Sequence, residues 1–186
     1  MTQLDELFIS IDIEASGPTP GLYSMLSLGA CLVEDPSQSF YIEVQPINDA
    51  FTDEAMSVHG LSLETLKRAG TPPLVAMGRF SAWVAEAASG GRRPVMVGYN
   101  VPFDWAFVNY YSHRYLGKNP LGHAALDIKA FYMGLTGTAW AGTGKSSLPI
   151  LYYDGQSMSH NALDDARLQG SIFRLMLADA RKESQK

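Results

Sequence analysis

The sequence predicts an α/β domain, a mixed β-sheet with helices packed on it. Two observations carry this reading. Three strand-like runs joined by short connections open the chain; helical periodicities then take over, interrupted once by the short apolar run Pro94–Tyr99. The order is β-β-β-α-α-β-α-α-α, and 186 residues suit one domain, 1–186, with a sizeable core.

The first strand lies in Glu6–Gly17, an apolar and β-branched run whose end is interrupted by Asp12 and Glu14. Gly17-Pro18-Thr19-Pro20-Gly21 is a loop by composition. In Met25–Val33, Leu26, Leu28, Ala30 and Leu32 make one apolar face, and after the Asp35-Pro36-Ser37 turn Phe40, Ile42 and Val44 alternate with polar neighbours. Short connections make these three strands an antiparallel meander. Asp53–His59 and Ser62–Ala69 read as short helices broken at Gly60, and Pro72-Pro73 opens a longer one carrying Met77, Phe80, Val84 and Ala87. Pro94–Tyr99 is a central buried strand, and Phe103, Ala106, Phe107 and Tyr110 recur at helical spacing after it. Ala125–Leu135 predicts a helix, Thr136–Ser147 a Gly/Ser/Thr-rich loop, and Leu148–Tyr153 fits no single pattern. The last helix runs from about Ala162 to Arg181, followed by a polar tail expected to fray.

Composition narrows the function classes. No apolar run reaches the length of a membrane span, and the acidic start Met-Thr-Gln-Leu-Asp-Glu argues against a signal peptide. The one cysteine, Cys31, sits in an apolar strand-like run and reads as a buried, reduced thiol. These features predict a cytoplasmic protein without a membrane partner. A net charge of −5, with basic residues only in small pairs, argues against tight binding of long duplexes. A short or single-stranded nucleic acid stays compatible, because a metal site would supply positive charge locally.

Four acids and one histidine carry the chemistry. Side chains at i and i+2 of a strand share a face, so Asp12 and Glu14 point the same way. Two such carboxylates beside an apolar layer repel each other unless a cation lies between them, and a hard divalent cation suits oxygen ligands. Asp104 follows the Pro94–Tyr99 strand, at the end where functional groups gather in open α/β sheets. In the last helix Asp164 shares its face with Arg167, Ser171 and Arg174, a solvent face, whereas Asp165 shares its face with Leu168, Ile172 and Met176, a core face. An inward carboxylate needs a partner, and His160 lies just upstream. Ala139-Trp-Ala-Gly-Thr-Gly-Lys145-Ser146 fits a relaxed phosphate-loop pattern, but a true one joins a strand to a helix, and here a helical segment precedes it. A Gly/Ser loop near the site, with Lys145 touching a phosphate, accounts for it better.

Asp12-Ile-Glu14, Asn100-Val-Pro-Phe-Asp104 and His160-Asn-Ala-Leu-Asp-Asp165 together resemble the three motifs of the DEDDh 3′–5′ exonucleases, the family of the polymerase III epsilon subunit, ribonuclease T and oligoribonuclease. The resemblance spans nearly the whole chain. It implies a ribonuclease H-like mixed five-stranded sheet and release of nucleoside 5′-monophosphates from the 3′ end of single-stranded or short DNA or RNA. It further implies two divalent ions, Mg²⁺ or Mn²⁺, on Asp12, Glu14, Asp104 and Asp165, with His160 as general base. Val58-His59-Gly60 resembles the family's loop against the terminal nucleotide, and Ala15, Pro18, Val58, His59, Asn100 and Phe103 become substrate contacts. Leu126-Asp127 resembles an Asp-containing segment between the second and third motifs. The chain departs from the pattern at Ala15, where relatives often carry Thr, and at Tyr99, where many carry His. Ribonuclease T and oligoribonuclease form dimers, which makes a homodimer an expectation to test. Two alternatives complete the set, a nucleotide hydrolase using Ala139–Ser146 and an inactive binding module. Metal-dependent release of mononucleotides separates both from the exonuclease.

Overall fold

One strand face organises the molecule. In a computed structural model, which describes residues 5–153, 155 and 159–183, strand β1 (Glu6–Ala15) lies at the centre of a five-stranded sheet. The extreme N-terminus and the last residues of the tail predicted to fray lie outside the described residues. Antiparallel to β1 runs β2 (Met25–Leu32), and antiparallel to that β3 (Ser39–Glu43), the predicted meander. On its other side β1 pairs in parallel with β4 (Arg93–Gly98), and β4 with β5 (Ala125–Asp127), giving the order β3-β2-β1-β4-β5.

Strand alternation sorts β1 into two layers. Leu7, Ile9, Ile11 and Ile13 point into a core with Phe80 of α3 (Pro73–Ala87) and Phe107 and Tyr111 of α4 (Pro102–Leu116). The opposite face begins with Phe8, whose ring stands edge-on to Phe173 at 5.2 Å, in α6 (Ala162–Glu183). It continues with Ser10, whose hydroxyl donates to the Ala166 carbonyl at 2.7 Å, and ends in Asp12 and Glu14. Burying Phe173 alone contributes about 2–3 kcal/mol. The apolar end of this face thus fixes α6 against β1, and the polar end inherits that alignment. Cys31 on the neighbouring strand is buried, and burial raises its thiol pKa to about 11.

The short helices α1 (Asp53–His59) and α2 (Leu63–Ala69) form as read, capped by the Thr52 and Ser62 side chains and separated at Gly60, which is left-handed at φ 67°. Residues 125–127 correct the reading of Ala125–Leu135 as wholly helical. They form β5 by pairing with Met96–Gly98, and α5 (Ile128–Thr136) begins only where the Asp127 side chain accepts from the Ala130 N–H. A three-residue edge strand is too short to show a period of its own. The predicted 136–147 loop contains two 3₁₀ turns, Trp140–Thr143 and Lys145–Ser147, and 148–153 forms no strand. Among the described residues no helix is long and apolar enough to cross a membrane.

Candidate active site

The β1–β4 pairing runs as far as Ser10 and Val97, and beyond it a side chain from α6 takes over. Gln169, 1% exposed, donates from Nε2 to the Ile11 carbonyl (2.9 Å) and accepts at Oε1 from the Tyr99 N–H (2.7 Å). This amide joins the carboxyl ends of the two central parallel strands at the point where α/β sheets place their ligands. The sequence offered a signal for it, a Gln one turn after Asp165 on the inward face of the last helix.

Asp104 enters from the first turn of α4, whose start is held by the Val101 N–H donating to Asp127 Oδ2 at 2.8 Å. The other oxygen of Asp127 caps α5 at 2.9 Å, so one carboxylate positions two helices. Asp104 Oδ1 accepts from the Ile13 N–H at 3.0 Å, which inserts it at the backbone between Asp12 and Glu14. Asp165 arrives from α6, 1% exposed, while Asp164 is exposed and pairs with Arg167 at 3.5 Å, as the helical phase predicts. Asp165 accepts from the Ser159 N–H (2.9 Å) and from the His160 N–H (3.0 Å). Those bonds hold His160 in a left-handed conformation, φ 56°, just before the helix and exposed. Donor atoms of Glu14, His160 and Asp165 all lie within 4.8 Å of one another, close enough to share an ion.

The electrostatics have one sign. Asp12 is raised well above its ordinary range by burial and then by Asp104, Glu14 and Asp165, with Lys145 opposing. Burial, then Asp165 and Asp104, raises Glu14 to about 8; burial raises Asp104 to about 7 against its bond from Ile13. Buried acids perturbed this way lack compensating charge, which a hard cation on oxygen donors supplies. A stability consequence follows. As pH rises from about 4.5 to about 8, the unfolded chain releases the Glu14 proton while the folded chain keeps it, so metal-free stability falls with pH. Thermal melts in chelator should show this loss across that window, and Glu14→Gln should flatten the slope relative to wild type. A slope unchanged by Glu14→Gln would remove Glu14 from the cluster.

The remaining predicted contacts divide. Val58, Pro18, Asn100 and Phe103 are exposed, with Phe103 packed on Phe107 at 5.2 Å and Asn100 left-handed at φ 67°. Ala15 ends β1 and is buried. His59 is half-buried and accepts from the Leu61 N–H at Nδ1 (3.0 Å), so its proton is assigned to Nε2. Nε2 makes no well-formed hydrogen bond among the described residues. Burial lowers the His59 pKa, the Ala15 carbonyl opposes that, and His160 lowers it further, which puts the Val58-His59-Gly60 segment beside the cluster. The phosphate-loop alternative fails on geometry. Helix α5 precedes 139–146, and Lys145 opens a single 3₁₀ turn instead of a helix. Its charge is felt by Asp12, Asp104 and Asp165, and burial pulls its pKa down.

Acids from β1, α4 and α6 thus converge beside a histidine, beyond the central strands of a mixed sheet. The family model of an exonuclease, RNase_T, matches residues 9–173, and the chain belongs to that exonuclease family. It is 46% identical over 171 residues to the 3′–5′ DNA exonuclease Cap18 of Escherichia coli, covering 92% of this chain and 91% of that one. It is 25% identical to ribonuclease T of Actinobacillus pleuropneumoniae serotype 5b (strain L20), over 91% of this chain and 82% of that one. Among solved structures, the nuclease domain of 3′hExo, a DEDDh family member bound to rAMP, superposes with a TM-score of 0.75 at 19% identity, covering 96% of this chain and 94% of that one. The chain spans 64% of a longer 3′-exonuclease solved on a histone mRNA stem-loop, which matches with a TM-score of 0.74 at 18% identity.

Proposed function

We propose that this 3′–5′ exonuclease removes nucleoside 5′-monophosphates one at a time from the 3′ end of single-stranded DNA, acting as one domain. The observation that carries the reading is the insertion of Asp104 at the Ile13 N–H between Asp12 and Glu14, with Asp165 held opposite by the Ser159–His160 turn. DNA is chosen over RNA because the 46% identical relative is a DNA exonuclease. Single strands are chosen because a net charge of −5 leaves little to grip a long duplex.

In this reading Asp12, Glu14, Asp104 and Asp165 hold two divalent ions, Mg²⁺ or Mn²⁺. Bound there, such ions would offset charge on the phosphate and make a nearby water more acidic. The protein supplies the rest. His160, exposed at the mouth and oriented through its own N–H by Asp165, takes the proton of the attacking water. Gln169 keeps Ile11 and Tyr99 at a fixed separation, and with them the acids that follow each. Phe103 and Val58 offer exposed apolar surface to the terminal base, and the backbone of Ala15 and the side chains of Pro18, Asn100 and His59 flank the sugar. A homodimer belongs to this reading and is checked by light scattering.

The test is digestion of 5′-labelled oligomers of DNA and RNA, single- and double-stranded, with Mg²⁺ or Mn²⁺. A ladder of shortening products on single-stranded DNA, resistance of a blocked 3′ end and silence in chelator are expected. Internal cuts in a circular single strand, or full activity in excess chelator, would overturn the reading.

A further inference from the structure

We propose that Lys145 is a catalytic residue whose ammonium, seated on the Tyr99 ring at the acid cluster, takes a non-bridging oxygen of the scissile phosphate. The proposal rests on the exonuclease reading above and adds a charge that the four acids and His160 do not contain.

Three observations place it. The Lys145 Nζ lies 5.0 Å from the Tyr99 ring centroid, in cation–π range. Tyr99 is itself fixed to the site, since its N–H donates to the Gln169 amide that also holds the Ile11 carbonyl, one residue before Asp12. The segment bearing Lys145 is anchored on both sides. The Tyr99 hydroxyl donates to the carbonyl of fully buried Thr143, Lys129 sits 4.3 Å from the Trp140 ring centroid, and Leu148 is buried in the core containing Val97 and Phe173.

Charge balance decides what this cation is for. Four carboxylates and two divalent ions sum to zero, so the loaded site has no net charge left for an entering phosphodiester. Once the water's proton has passed to His160 the reacting group carries one more negative charge than the phosphodiester did, and fixed positive groups aimed at its oxygens lower the barrier. Lys145 supplies that extra charge from a compact ammonium on a flexible stem. In the cleavage step the water oxygen bonds to phosphorus, the bond to the 3′-oxygen breaks, and the water's proton passes to His160. The leaving oxygen takes a proton from solvent, and Lys145 keeps its own throughout. Were Lys145 only a substitute for the metal ions, it would be redundant once they bind.

The experiment compares wild type with K145M, K145R and K145C on 5′-labelled oligo-dT at saturating Mn²⁺. Mn²⁺ affinity and the thermal shift given by the product analogue dTMP are measured alongside. K145M should lower kcat by about 10²-fold with a smaller change in KM, the size typical of losing one transition-state donor. It should reduce the dTMP shift and change Mn²⁺ affinity far less than kcat. Alkylating K145C with 2-bromoethylamine rebuilds an ammonium, and Cys31 is buried and should be spared, so most of the lost rate should return. K145M with wild-type kcat and tighter Mn²⁺ binding would make Lys145 a charge placeholder and overturn the proposal, as would failure of alkylation to restore rate. A wild type that releases no mononucleotide fails the exonuclease reading itself, a result separable from both.

Discussion

Asp165→Asn is expected to lower turnover by orders of magnitude, while its neighbour Asp164→Asn retains the wild-type rate. The two residues are chemically alike and adjacent, and they differ by about 100° of helical phase. Asp164 is exposed and its pairing with Arg167 at 3.5 Å is a surface contact, so its loss should cost within about 1 kcal/mol. Asp165 is 1% exposed, and both its oxygens accept backbone N–H groups, from Ser159 and His160. An Asn keeps the size but removes the charge a metal ligand needs. It also turns one acceptor into a donor facing an N–H, and such a mismatched buried group costs about 1–3 kcal/mol. Relief of repulsion among the acids acts the other way, so the metal-free melting temperature should move little compared with the activity. Rate assays at saturating Mn²⁺ with paired thermal melts check this. An inactive Asp164→Asn beside an active Asp165→Asn would show that the metal-ligand assignment on this helix is wrong.

That pair also shows which parts of the site are legible without coordinates. Periodicity reports the facing of a residue within its own element. A period of two places Asp12 with Glu14, a period of 3.6 separates Asp165 from Asp164, and both agree with the fold. Periodicity says nothing about what lies across from a face. The double role of Asp127 depends on β5, three residues long and paired with β4. Gln169 matters because two parallel strands stop pairing beside it, a fact about Ser10 and Val97 rather than about the helix. Lys145 sits in a Gly-rich stretch that imitates a phosphate loop. The sequence alone already puts that lysine at a phosphate near the site, and what only the packing shows is its seat 5.0 Å from the Tyr99 ring centroid. Gly29 leaves no signature in the sequence beyond an absent side chain in a strand.

Gly29→Ala is accordingly expected to damage both stability and turnover, from a position that carries no chemistry. Gly29 pairs with Asp12 across β2 and β1, on the face covered by α6. A Cβ added there would lie 2.2 Å from the Ala162 carbonyl carbon and 2.3 Å from the Leu163 nitrogen, both backbone atoms of the first turn of α6. Neither atom can move as a side-chain end would, so the helix start has to lift. Overpacking of this kind costs about 1–3 kcal/mol. The same turn carries Asp165 and, through its two bonds, His160, so the lift separates both from Asp12 and Glu14. A displacement of about 1 Å in a catalytic constellation can cost about 10²-fold in rate. Gly78→Ala is the control. In the interior of α3 its added Cβ meets nothing within 4 Å, and replacing Gly by Ala at a helical site stabilises by about 0.4–1 kcal/mol. Melts and single-turnover rates at saturating Mn²⁺ should therefore move in opposite directions for stability and differ sharply for rate. A Gly29→Ala enzyme with wild-type melting temperature and rate would mean that α6 does not lie against β2 at Gly29, and the placement of Asp165 beside Asp12 would fall with it.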